Sequence, residues 1–120
     1  MNDHEMLNFA AAAVGYNKDK VHKVYWLSAA GGSVFVGNAW HNWNSLTSGN
    51  DALGLAVMLK LEILPRYGAV GVRSEDGTFD GYFWENFDEE EASIDTRKKM
   101  TYRVITRAAA EVGKKLLQNT

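Results

Sequence analysis

Trp40-His41-Asn42-Trp43-Asn44-Ser45-Leu46-Thr47-Ser48-Gly49-Asn50-Asp51-Ala52-Leu53, continued by the apolar run from Gly54 to Leu61, is the stretch on which the fold reading turns. Its first part sets Trp40 and Trp43 among the side-chain amides of Asn42, Asn44 and Asn50. That composition reads as a loop of roughly a dozen residues, longer than most connections, and long loops in compact domains are often functional. Ser48, Asn50 and Asp51 are all competent helix N-caps, so a helix is expected from near Asn50 to about Lys60. Ala52, Leu53, Leu55, Ala56, Val57, Met58 and Leu59 cover nearly its whole circumference, and a helix apolar on all sides is expected to be buried on most sides. Gly54 in its interior costs about 1 kcal/mol against alanine, which predicts a close backbone approach at that point.

Upstream, Asn2 can accept from a free backbone N–H while Glu5 reaches back. With Met6, Leu7, Ala10, Ala11 and Val14 at helical spacing, a first helix is predicted from about Asp3 to Val14. Asn17 to Lys20 reads as a polar connector. The β-branched and aromatic run Val21 to Leu27 reads as a strand, Ala29 to Gly32 as a turn and Ser33 to Val36 as a second strand, together a hairpin. Downstream, Leu61 to Leu64 is a short strand that Pro65 is expected to halt. Ala69 to Arg73, the turn Glu75-Asp76-Gly77 and Thr78 to Trp84 complete an antiparallel meander. The acidic run Asp88 to Glu91 reads as the solvated approach to a helix whose positive end welcomes negative charge. Ser93 or Asp95 caps that helix, predicted from about Ile94 to Leu117, with Met100, Val104, Ala108 and Val112 as its apolar stripe and Arg107 pairing Glu111 on its surface.

The order α-β-β-α-β-β-β-α over one domain, residues 1–120, reads as α+β: one mostly antiparallel sheet with helices packed on it, sandwich-like. At this length a single core suffices without metal or disulfide staples. Thirteen Lys plus Arg against fifteen Asp plus Glu leave a net charge of -2, which excludes a general nucleic-acid coating protein. The absence of Cys removes disulfides, thiolate metal sites and cysteine nucleophiles. Ala52 to Leu61 is far too short to span a bilayer, and the N-terminus is acidic where a signal peptide is basic, so a cytoplasmic location is expected.

Trp43-Asn44-Ser45-Leu46-Thr47 followed by Asn50-Asp51-Ala52-Leu53 resembles the Trp-Asn-Pro-Leu and Asp-Ala-Leu signature of the phage ABA sandwich domain family. The tail Tyr102 to Gly113 is similar to that family's Arg-Arg-Ala-Ile-Val-Arg-Ala-Ala-Ala-Glu-Ile-Gly ending, so the likeness spans about Trp40 to Gly113. Ser45 stands where the family usually has Pro, and Gly54 where a larger polar residue is common. The resemblance implies helices sandwiching a sheet and a phage or prophage origin, hence the cytoplasm of a host cell; it implies no activity.

For an enzyme the residues offer little. His4, His22 and His41 lack ligand-like spacing, so no metal site is expected. Ser45, Thr47 and Ser48 lie near His41 without a nucleophile-elbow motif, and Gly31-Gly32 is a turn signal with no phosphate loop after it, leaving a small hydrolase as a remote alternative. No cofactor is expected. Binding is better supported. The rings of Trp40 and Trp43 offer stacking faces, and His41, Asn42, Asn44, Thr47 and Asn50 offer donors and acceptors for base edges, sugars or phosphate. Arg103 and Arg107 add charge-assisted bonds to an anion. The competing reading makes Trp43 and Leu46 a core plug and gives Asn44 and Asn50 to the loop backbone. Tyr82, Phe83, Trp84 and Phe87 are contiguous and bulky, and alternation places some of them, above all Tyr82, Trp84 and Phe87, on a second sheet face suited to a protein contact or a homo-oligomer. The expected function is therefore that of a phage accessory protein acting by binding. It antagonises host defence by sequestering a small nucleotide-type signal or, alternatively, binds and inhibits a host protein.

Overall fold

The computed structural model describes residues 1–16, 24–28, 31–36 and 39–118, and for 24–28, 31–36 and 39–41 it describes the backbone. The connector expected at 17–20, the strand start at 21–23 with His22, the turn pair 29–30 and the last two residues lie outside the described residues, as do the side chains of Trp40 and His41.

The elements are α1 (Asp3–Ala13), β1 (Val24–Ser28), β2 (Gly31–Val36), β3 (Ala39–Trp43), α2 (Gly49–Met58), β4 (Leu61–Arg66), β5 (Ala69–Ser74), β6 (Tyr82–Asn86) and α3 (Ile94–Gln118). The chain is α+β, with helices packed on antiparallel sheet. Among the described residues the strands divide into two three-stranded sheets, β1-β2-β3 and β4-β5-β6, where one sheet was expected. The extra strand is β3. The first four residues of the expected loop, Trp40 to Trp43, pair with β2 in the register Phe35↔Trp40 to Gly32↔Trp43. A run of Trp, His and Asn carries no apolar alternation, so only the partner strand reveals it as a strand.

Helix α1 begins as a capping box: Asn2 Oδ1 accepts from Glu5 N at 2.8 Å, and Glu5 reaches back to Asn2 N at 3.4 Å. Ser93 Oγ accepts from Thr96 N at 3.1 Å at the start of α3, so Ser93 rather than Asp95 is the cap there. The core lies where α1 packs along α3 and where α3 crosses the inner face of β5 and β6. Met6, Leu7, Ala10 and Ala11 of α1 meet Val104, Ile105, Ala108, Ala109 and Val112 of α3, and Val70 and Val72 of β5 close the cluster. Alanines dominate the α1–α3 seam, and Gly113 lets it close. A methyl group there would run into the Phe9 carbonyl, with that carbon at 2.7 Å and Ala13 N at 3.0 Å.

Several local expectations are corrected by tertiary context. Pro65 does not halt β4, which continues to Arg66; β4 is an edge strand, where one missing N–H on the open side is tolerated. β6 starts at Tyr82 rather than Thr78. Residues 75–81 form a wound loop in which Asp76 Oδ1 accepts from Ser74 Oγ, Thr78 N and Thr78 Oγ1, while Phe79 turns into the core edge-on to Phe83 at 5.2 Å. Those three donors hold the Asp76 carboxyl below its usual range, the Thr78 hydroxyl most strongly. The acidic run is not merely solvated: Glu89 pairs with Arg97 at 2.5 Å, and Tyr67 donates to Glu90 at 2.8 Å. Helix α2 is the largest departure. It buries only Ala52, Leu55 and Ala56, leaving Leu53, Val57 and Met58 in solvent, and a Cβ at Gly54 meets nothing within 4 Å. Among the described residues no helix is long and apolar enough to cross a membrane.

Candidate functional site

The segment 44–51 wires itself into a helix-starting turn. Asn44 Oδ1 accepts from Leu46 N at 2.9 Å, the Asn44 carbonyl accepts from Ser48 N at 2.9 Å, and Asn44 N donates to Asp51 Oδ2 at 2.9 Å. Such side-chain-to-backbone bonds are why Asn and Ser concentrate at turns and caps. Ser48 is the N-cap of α2, accepting from Asp51 N at 3.3 Å. Ser45 Oγ meets Thr106 Oγ1 at 2.8 Å with both side chains fully buried, so the turn is riveted to α3 through a satisfied polar pair. Gly49 lies against the Tyr102 hydroxyl, where a Cβ would sit 2.7 Å from the oxygen.

Within this turn Trp43 is 5% exposed and stands edge-on to Tyr16, with ring centroids 5.9 Å apart. Burial first, and then the Asp51 carboxylate, push the Tyr16 phenol above its ordinary pKa, so it is a neutral hydroxyl at physiological pH. The void beside Trp43 measures about 90 Å³ and is bounded by Val14, Tyr16, Asn50, Gly54, Leu55 and Met58. Small-molecule sites start near roughly 300 Å³. Trp43 and Asn44 are thus structural: one plugs the core, the other satisfies backbone groups. Asn42 is exposed on β3, and Asn50 is exposed in the first turn of α2, at the rim of the same void.

Thr47 and Arg103, 56 positions apart in the chain, do come together. They line an open groove of about 500 Å³ between the 46–47 turn and the first turns of α3, together with Lys98, Lys99, Met100, Tyr102 and the carboxylates of Asp3 and Asp95. Arg107 does not join them. It donates to Glu85 at 2.6 Å and to the Trp84 carbonyl at 2.9 Å, and lies 5.8 Å from the Phe83 ring. Arg103 bridges Glu85 at 3.1 Å and Asp3 at 3.3 Å, so Glu85 collects both arginines that sequence spacing offered to a ligand. From the sequence Glu85, like Asp80 and Asp88, reads as no more than a surface carboxylate, because the signal is a pairing between β6 and α3 that no local pattern encodes.

On β4–β6, alternation divides the side chains between two faces. The register sets Leu64, Gly71 and Trp84 in one row and Glu62, Arg73 and Tyr82 in the next, all on the face away from the core. Tyr82 and Trp84 stack at 5.9 Å with an interplanar angle of 28° and are 56% and 37% exposed. Trp84 lies flat on Gly71, where a Cβ would strike the indole, with its Cδ2 atom at 2.8 Å. A glycine in a strand interior often marks such an approach, so Gly71, which the sequence reading passed over while naming Tyr82 and Trp84, carried a signal of its own. Glu62 and Arg73 pair beside the rings. Phe87, named with them from the sequence, is half-buried against the core under the Arg97 guanidinium at 5.0 Å and does not belong to this face.

Among the described residues, no group of three His, Asp or Glu side chains converges as a metal site. No family model, curated protein or solved structure matches the chain.

Proposed function

We propose that the chain is a binding protein that docks on a partner protein through the outer face of β4–β6, in the manner of a phage or prophage accessory protein that engages and inhibits a host protein. The observation that carries this reading is the exposed Tyr82–Trp84 stack on Gly71, flanked by the Glu62–Arg73 pair. Two rings already held against each other lose little side-chain entropy on binding, and Trp, Tyr and Arg are the residues in which binding energy concentrates. The test is capture from host lysate by the intact chain and by the Tyr82→Ala/Trp84→Ala double variant, followed by affinity measurement on the captured protein. Loss of a hot-spot pair costs about 2 kcal/mol or more, a thirtyfold or greater loss of affinity. Because neither ring belongs to the buried core, the double variant should remain folded. Equal capture by a folded double variant would sink this reading.

A second reading, a small nucleotide-type anion, is favoured by the groove that joins Thr47 to Arg103. Its volume of about 500 Å³ suits a small molecule, and Lys98 and Lys99 supply positive charge along it beside an Arg103 that is already paired with Asp3 and Glu85. A nucleotide present at a hundredfold excess over its Kd adds about 2.7 kcal/mol of stability, a rise in Tm on the order of 10 °C for a domain of this size. The rise should shrink in Lys98→Ala/Lys99→Ala. A panel of nucleotides that leaves Tm unmoved removes this reading.

A further inference from the structure

The groove that joins Thr47 to Arg103 holds donors that no described residue engages, and they stand on one face of α3. Lys98 and Lys99 lie four and three positions before Tyr102, the spacing at which helix side chains are neighbours, and all of them line the groove. Among the described residues neither ammonium has an ion pair, and the Tyr102 hydroxyl has no hydrogen-bond partner. The charges next to them are already matched: Asp3, Arg103, Glu85 and Arg107 form one chain of ion pairs in which carboxylates and guanidiniums balance. Of the acidic side chains lining the groove, Asp95 is the one left to oppose the two lysines, so a positive charge remains. Tyr102 itself reaches from α3 to the start of α2. Its hydroxyl ends against Gly49, where a Cβ would sit 2.7 Å from the oxygen and 3.1 Å from the ring carbon that bears it. Gly49 has no left-handed backbone angle that would call for glycine; the Tyr102 ring is what calls for it. A half-buried hydroxyl seated on a glycine and left without a partner requires an explanation, and a ligand supplies one.

Resting on the nucleotide reading of this groove, we propose that Tyr102 is its specificity-determining residue: the hydroxyl donates to a phosphate monoester whose charge Lys98 and Lys99 neutralise, and Gly49 is the residue that positions that hydroxyl. Charge and donor number select the monoester. Near neutral pH it carries about two negative charges, which match two ammoniums, and its three terminal oxygens match the lysines and the phenol together. A carboxylate has a single charge and two oxygens, and would leave one of these donors unmatched. Leu46 and Met100 line the same groove and give apolar surface to the body that bears the phosphate.

The test is isothermal titration calorimetry of the intact chain with the common ribonucleoside monophosphates, the matching nucleosides and inorganic phosphate as separate arms. Wild type should bind a monophosphate more tightly than either its nucleoside or the free anion. Tyr102→Phe deletes one oxygen and keeps the ring, so its unliganded Tm should stay near that of wild type. Its Kd for the monophosphate should rise about tenfold or more, the loss expected of one hydrogen bond to a charged group. Gly49→Ala should weaken binding in the same way, because the added methyl displaces the hydroxyl, and should add little when combined with Tyr102→Phe. A merely structural contact between Tyr102 and Gly49 would move Tm and leave Kd alone. Binding that is lost in Lys98→Ala/Lys99→Ala yet unchanged in Tyr102→Phe overturns the role of Tyr102 and leaves the groove reading standing. A nucleoside or inorganic phosphate bound as tightly as the monophosphate overturns the monoester. Wild type that binds none of these probes overturns the groove reading and this proposal together.

Discussion

Gly113→Ala should lose on the order of 3 kcal/mol or more of folding stability, close to the largest penalty a single methyl group can impose on this chain. In an isolated helix the same change is favourable by roughly 1 kcal/mol. The sign reverses because Gly113 of α3 faces the backbone of α1. An added Cβ would overlap the Phe9 carbonyl and crowd Ala13 N at 3.0 Å, and neither atom is the flexible end of a side chain that can swing aside. The strain can be relieved only by separating α1 from α3, which uncovers Leu7, Ala10, Val104 and Ala109, all fully buried. Urea unfolding followed by far-UV circular dichroism should show a lower midpoint with an unchanged m value, since the surface exposed on unfolding stays the same. A loss below about 1 kcal/mol would mean that α1 and α3 part easily, and that their seam is not the rigid centre of the core.

Trp43→Ala should lose about 3 to 5 kcal/mol, the range for emptying a buried aromatic site. Trp43 is almost wholly enclosed, and its edge-on contact with Tyr16 adds to simple area burial. The variant would also enlarge the void of about 90 Å³ already beside the ring, which Val14 and Tyr16 just past α1 and the residues of α2 also border. Trp43→Phe, which keeps a ring against Tyr16, should recover about half of the loss. Urea unfolding reads both. The contrary result, a stable Trp43→Ala protein that fails to bind a nucleotide, would return the Trp-rich turn to the status of a ligand site.

Where the deciding physics is local, the sequence was a sound guide. The capping box at Asn2 and Glu5, the cap at Ser93 and the amphipathic stripe of α3 need only neighbours within one or two turns. The turn around Asn44 was foreseen in one of its two readings, because Asn and Ser bind their own backbone whatever surrounds them. Residues that act across the fold were opaque. Arg103 read as a cation open to a ligand, and Arg107 as that or as the surface partner of Glu111, until β6 set Glu85 between them. Phe87 read as one of a surface cluster until Arg97 covered it. Thr47 and Arg103 were each named, but that they line one groove depends on where the 46–47 turn meets α3.

By itself, then, the amino-acid order determined the α+β class, the positions of α1, α2 and α3 and the hairpin character of the strands, because periodicity and capping act over a few residues. Tertiary structure alone decided what the glycines and the apolar residues of α2 are for. Gly54 and Gly113 are both helix-interior glycines, yet one looks onto open space and the other onto a carbonyl. Likewise Leu53 and Leu55 are chemically identical and two positions apart, one in solvent and the other in the core. Hydrophobicity records only that a side chain avoids water; whether its own core or another molecule provides the shelter depends on which neighbours the fold brings within reach.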